Sequence, residues 1–273
     1  MANVLVEEGS LTNIANAIRE KNGTTTTYKP SEMATAISSI ETGGGGSTPT
    51  QGLVINERDE NGWPTDIAIV DRTTIPEYYC YYFGDSINNF FGRVEKITLP
   101  ENLTTIGNYS FQNCTNWKIP ELADTVTTIG NYAFSGCENI TWEKLPNSLG
   151  PLSTYAFDGC KNLAITEIPS GMVTSGTYVF RGCSSIPHIT WLGDVTTISR
   201  GLFYSCTGLS YIALPNVTNV PTLSGTNAFY NTPINSGTGY IYVPDNLVDS
   251  FKSASNWSTF ADQILPISEM PTE

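Results

Sequence analysis

The sequence predicts a β-rich solenoid of 23-residue coils, preceded by a small two-helix N-terminal segment. Three observations predict it. Phe111, Phe134, Phe157, Phe180 and Phe203 recur at a constant step of 23 residues. Each is followed three residues on by Cys114, Cys137, Cys160, Cys183 or Cys206. The same step separates Leu99, Leu122, Leu145, Ile168, Trp191 and Leu214, and also Val94, Trp117, Ile140, Leu163, Ile186 and Leu209. A coil this short has no interior of its own, so its neighbours must cover its apolar face and each coil touches only the next.

The markers divide the chain. Residues 1–40 read as two short helices. Ser10 caps the first, whose Leu11, Ile14, Ala15 and Ile18 share one face before Gly23 ends it. Ser31, after Pro30, caps the second, with Met33, Ala36, Ile37 and Ile40 at the same offsets. So short a segment cannot build a core, and its stripes are expected to dock on another surface. Residues 41–52 (ETGGGGSTPTQG) read as a flexible Gly-rich linker. Residues 53–93 are expected to cap the solenoid, with strands at 53–55, 67–70 and 78–83 and a turn at 59–62. Phe91, one period before Cys114, marks a degenerate first coil there. The solenoid proper covers 94–244, and its period stretches at the end: Phe229 follows Phe203 by 26 residues and Val243 follows Leu214 by 29. Residues 245–273 form the C-terminal cap, in which Asp245 is expected to cap a helix carrying Leu247, Val248 and Phe251, with Trp257 and Phe260 closing the end.

Of the 273 residues, 40% are hydrophobic and 11% aromatic, which excludes a disordered chain. With 26 acidic against 13 basic residues the net charge is -13, so phosphate backbones are repelled and nucleic acid is excluded as a partner. No apolar run is long enough to span a membrane. Residues 1–9 lack the basic start and apolar run of a secretory signal, so the thiols are expected to stay reduced in a cytoplasm unless a leader has been removed.

Cysteines in register raise the question of bridges or metal. Equivalent Cα atoms of stacked coils lie about 4.8 Å apart with parallel Cβ vectors, which disfavours a disulfide. The sequence has no C-x-x-C pair, and parallel thiols do not converge on a tetrahedral ion, so neither metal nor cofactor is expected. The reading is a buried thiol ladder that packs as a small apolar side chain. Tyr109, Tyr132, Tyr155 and Tyr178, each two residues before a phenylalanine, form a second ladder. Mutual packing is its expected role, with a carbohydrate platform as the alternative.

In the segment Phe203 to Pro215, Leu209, Ile212 and Leu214 make the pattern L-x-x-L-x-L. Together with Ile129-Gly-Asn-Tyr-Ala-Phe134-Ser-Gly-Cys137, this resembles the BspA-type leucine-rich repeat over about residues 94 to 244. Pro120, Glu143 and Thr166 depart from it at the middle strand position. In this pattern the residues flanking the last aliphatic pair point outward. That selects a first row of Lys96, Ile119, Trp142, Ile165, His188 and Tyr211, unusually apolar for a solvated face. The second row is Thr98, Glu121, Lys144, Glu167, Thr190 and Ala213, with alternating charge at its centre. Ile119, Trp142, Ile165, His188, Tyr211, Glu121, Lys144 and Glu167 are the candidate ligand surface, unless the chain's own cap covers it. His188 is the only histidine and no hydrolase, metalloprotease or phosphate-loop motif is present, so no enzyme activity is expected.

The stretch Leu11 to Lys21 followed by Tyr28 to Ile37 looks like a segment at the start of tail and other virion proteins in phages and prophages of Gram-positive bacteria. That resemblance implies a tail or baseplate-associated structural protein, assembled into a virion in the host cytoplasm. Residues 1–40 would meet other tail proteins through Leu11, Ile14, Ile18, Met33, Ile37 and Ile40. The solenoid would meet a host cell-surface glycan or protein, and the chain would form a homo-oligomer on the particle. The alternative is a secreted bacterial cell-surface adhesin of the BspA type.

Overall fold

The computed structural model describes residues 53–58, 64–75, 94–172 and 175–271. The two expected helices, the 41–52 linker, and the expected strand at 78–83 with Phe91 lie outside the described residues.

Three strips of backbone pairing run along the stack, two of them interrupted in its middle. The front strip begins with strand Leu53–Arg58, antiparallel to Pro64–Ile69, which pairs in parallel with Lys96–Thr98 through Ile67 opposite Ile97. Further along, Glu167–Ile168, His188–Trp191, Tyr211–Ala213, Tyr240–Val243 and Ile264–Pro266 form one parallel sheet in chain order. A lateral strip is made of two-residue strands, Thr74–Ile75, Thr105–Ile106 and Thr128–Ile129, then Thr197–Ile198 and Thr222–Leu223. In each of these pairs the threonine faces out and the aliphatic residue is buried, as a β-branched pair at period two dictates.

The third strip runs through the Tyr-x-Phe segment. Tyr109 N donates to Asn131 O at 2.8 Å and Phe111 N to Ala133 O at 2.8 Å, and the same forward bonds recur from Phe134 N to Ala156 O and Phe157 N to Val179 O. The six phenylalanines stack into one column, with centroids 5.3 to 6.2 Å apart and planes within 12° of parallel. Phe229 keeps its place despite the 26-residue step: the step is still 23 at Tyr211 and already 25 at Thr222, so two of the three extra residues lie in the loop between these strands and one between Leu223 and Phe229.

The thiol ladder is more than apolar packing. Cys114, Cys137, Cys160, Cys183 and Cys206 are buried and unbridged. Cys137 Sγ donates to Phe111 O at 2.9 Å, Cys160 Sγ to Phe134 O at 3.1 Å, Cys183 Sγ to Phe157 O at 3.1 Å and Cys206 Sγ to Phe180 O at 2.9 Å. Each of these four thiols therefore ties its coil to the phenylalanine of the one before. Buried indole N–H groups are likewise satisfied: Trp142 Nε1 donates to Ile119 O at 2.8 Å, Trp191 Nε1 to Met172 O at 2.6 Å and Trp257 Nε1 to Pro221 O at 2.7 Å.

Both ends of the front strip are sealed. Asp66, nearly buried, accepts from Lys96 Nζ at 2.7 Å and Asn56 Nδ2 at 2.9 Å, which pins the N-terminal hairpin to the first coil. Lys96 is also what holds its carboxyl below the ordinary range. At the far end the edge strand Ile264–Pro266 carries a proline that cannot donate to a further strand. Phe251, Trp257 and Phe260 close the core there. Asp245 does not cap the helix as expected: helix Val248–Ser253 has no side-chain cap, and Asp245 Oδ1 instead accepts from Ser268 N at 3.2 Å. A 3-10 turn, Asp245–Leu247, intervenes, and the helix starts at Val248 with Leu247 in the cap position.

Burial pushes the thiols of Cys137, Cys160, Cys183 and Cys206 up. A cysteine of the unfolded chain ionises near pH ~8.5, so above that pH the native state holds more protons than the unfolded one. Stability from these thiols is fully present below pH ~8.5 and falls above it by about 1.4 kcal/mol per thiol per pH unit. Urea midpoints measured from pH 7.5 to 9.5 should drop accordingly, and Cys206→Val should remove one thiol's share of the slope.

Candidate functional site

The candidate surface lies on the front strip, and the structure splits it. In coils where the middle position is aliphatic (Ile97, Ile189 and Ile212) that residue is buried, and Lys96, His188 and Tyr211 lie at least partly outside. In the three coils between, the pleat is displaced by one residue. Ile119, Trp142 and Ile165 are 4%, 2% and 0% exposed, which corrects the expectation that they face outward. Lys96 bridges to Lys118, a step of 22 residues, so Ile119 takes the inward place of Ile97. The reason is chemical. Pro120, Glu143 and Thr166 occupy the expected inward position, and burying a carboxylate without a partner costs more than breaking the ladder locally. A one-residue slip exchanges the two faces. These coils follow L-x-L-x-x-L, legible as Trp117-x-Ile119-x-x-Leu122, Ile140-x-Trp142-x-x-Leu145 and Leu163-x-Ile165-x-x-Ile168. The apolarity of the row was the signal of its burial.

Glu121, Lys144 and Glu167 are exposed. Lys144 Nζ lies 4.0 Å from Glu121, an exposed pair that contributes little to stability. The charges thus dress the displaced coils.

His188 and Tyr211 come together. Their rings stack with centroids 4.7 Å apart and planes 3° from parallel, and Tyr211 meets the edge of Tyr242 at 5.5 Å. Beside them lies a shallow groove of about 550 Å³. Thr190 and Glu167 border it on the sheet, and Ile267 and Met270 of the C-terminal segment form the opposite wall. That wall is outside the repeat, so no period points to it. Part of the expected covering by the chain's own cap is therefore real. Chemically the groove offers hydroxyls, one carboxylate, an imidazole and an apolar wall. Among the described residues there is no group of three or more His, Cys, Asp or Glu placed to hold a metal ion. Nor is any described helix long and apolar enough to cross a membrane.

On the turn side, Tyr109, Tyr132, Tyr155 and Tyr178 stack at 5.0, 4.8 and 5.2 Å, within 15° of parallel. Rings this close cover one another's faces, so the ladder presents edges and cannot serve as a sugar platform along its length. Each of these tyrosines has φ near 55°, a left-handed backbone that is unusual for a bulky residue and is offset here by the stacking. Arg181 lies 5.0 Å over Tyr155 and makes two 2.6 Å bonds to Asp158 of the preceding coil. The column stops at Gly201 (φ 65°), where an added Cβ would fall 2.2 Å from Tyr178 Cε1.

Short parallel strands, one buried turn per coil and a continuous apolar interior define a leucine-rich repeat solenoid. The model of the BspA type leucine-rich repeat region matches residues 74–143 and 105–235 in six copies, more than half of the chain, and the chain belongs to that family. No curated protein matches it. A crystal structure of a leucine-rich repeat protein from Bacteroides ovatus is similar at 23% identity and TM-score 0.51, covering 71% of this chain and 58% of that one. The likeness is one of fold, and this chain spans little more than half of that protein's length. A leucine-rich repeat protein of T. pallidum is similar at 20% identity and TM-score 0.43, over 77% of this chain and 96% of that one. A leucine-rich cell surface protein from Faecalibacterium prausnitzii is similar at 21% identity and TM-score 0.32, over 71% and 62%.

Two consequences are measurable by denaturation. Trp142→Ala should lower unfolding free energy by about 3 to 5 kcal/mol, whereas Tyr211→Ala should cost about 1 kcal/mol. Gly201→Ala should cost about 1 to 2 kcal/mol through its left-handed backbone and the displaced Tyr178 ring, while Gly225→Ala serves as a control at extended φ.

Proposed function

We propose that the protein is a non-catalytic recognition module of a phage tail or baseplate, or of a phage-like particle, held there by residues 1–40 and meeting the host surface with its solenoid. The observation that carries the recognition half is the groove beside the stacked His188 and Tyr211, built on a rigid parallel sheet and walled by Ile267 and Met270. Rigid placement of a few polar and aromatic groups on a solenoid face is how such folds present binding surfaces. The particle half rests on the patterned segment Leu11 to Ile37, whose apolar stripes are too small to fold alone. The groove serves equally a secreted adhesin on a bacterial surface, and only the particle half separates the two readings.

Deleting residues 1–45 should leave a folded, soluble protein that no longer joins its particle, as followed by co-sedimentation with assembled tails. Normal incorporation would refute the docking role, and recovery of the chain on the surface of its own bacterium would favour the adhesin. Thr190→Trp, which fills the groove, combined with Tyr211→Ala, should spare assembly and weaken attachment to the target cell. Loss of an interface anchor costs about 2 kcal/mol, roughly 30-fold in affinity. Unchanged cell binding would exclude the groove.

A further inference from the structure

The turn-side aromatic column resumes past Gly201 with a different pair, and its last ring stands against neutral polar groups. Tyr204 and Tyr230 stack with centroids 4.7 Å apart at 24°. One face of Tyr230 is thereby taken, yet the residue remains 51% exposed, so the exposed surface includes the opposite face. This differs from the Tyr109 to Tyr178 ladder, whose faces cover one another. Beside the ring is a hollow of about 380 Å³ bordered by Thr207, Asn231, Asn235 and Ser236, with no ionisable carboxylate or amine among its lining residues.

The shelf is braced from behind. Thr232 Oγ1 donates to Phe229 O at 2.6 Å and accepts from Asn235 N at 3.3 Å, and Asn231 Nδ2 donates to Ser205 Oγ at 3.3 Å. The side-chain amide of Asn235 and the hydroxyls of Thr207 and Tyr230 make no hydrogen bond within the described residues. An open aromatic face ringed by neutral donors and acceptors suits a ligand with an apolar C–H face and hydroxyls at its rim.

We infer that Tyr230, Asn235 and Thr207 form a binding shelf for a neutral saccharide, with a pyranose ring lying on Tyr230. A net charge of -13 disfavours acidic sugars, and the shelf has no open strand edge for a peptide to extend. The inference is independent of the particle reading, because a sugar can be met from a virion or from a cell wall.

Saturation-transfer NMR on the full chain tests it with methyl glucoside, methyl galactoside, N,N'-diacetylchitobiose and sialyllactose as probes. At least one neutral probe should bind with its ring C–H protons saturated, and Tyr230→Ala should weaken it about tenfold while Tyr230→Phe retains it. Asn235→Ala should weaken it without changing thermal stability. No neutral probe bound, preference for sialyllactose, or equal binding by Tyr230→Ala would overturn the shelf. None of these results touches incorporation of the chain into a particle.

Discussion

Register between identical side chains is the constraint on which the rest of this molecule depends. A phenylalanine stacked on its counterpart 23 residues away sets the coil spacing, and the thiol three residues later locks it by donating to the previous phenylalanine's carbonyl. Backbone N–H groups on either side of the ring bond forward to the next coil, so the turn layer is a hydrogen-bonded sheet in its own right. Once this layer is fixed, the front and lateral strips have little freedom. Where the front strip is reduced to isolated bonds, between Lys96–Thr98 and Glu167–Ile168, the stack continues without a gap in its core.

Many surface interactions obey the same step to within one residue. Arg181 binds Asp158, Lys161 binds Glu138 at 2.7 Å, Asn147 N donates to Asp124 Oδ1 at 2.7 Å, and Thr218 bonds Asp194 across one coil. Each exposed pair is worth little alone. Their common direction makes stability a sum over adjacent coils, so a substitution is felt by two neighbours and hardly beyond.

Residue identity alone was enough to read the period, the phenylalanine column and the burial of the cysteines, because each is a strict recurrence. The facing of the front strip was not read correctly in three coils. There the general pattern L-x-x-L-x-L places Ile119, Trp142 and Ile165 outward, whereas Pro120, Glu143 and Thr166 displace the pleat and turn them in. His188 and Tyr211, in coils that keep the pattern, do reach the surface. The groove wall at Ile267 and Met270 and the shelf at Tyr230 lie where the period has stretched or ended, so recurrence carries no information about them. Asp245 had the right residue type for a helix cap, but the backbone amide of Ser268 competed for its carboxylate and prevailed.

Because the forward bonds of the turn layer and the strand pairs all point along the stack, a load applied between its two ends acts in line with them. Strands sheared past one another share such a load across many bonds, whereas coils drawn apart along the axis surrender theirs one layer at a time. Under tension the solenoid should therefore lengthen by peeling single coils from an end, each release paying out 23 residues of slack, and it should rewind when the pull relaxes. A solenoid built in this way behaves as a shock absorber for any load carried between its two ends.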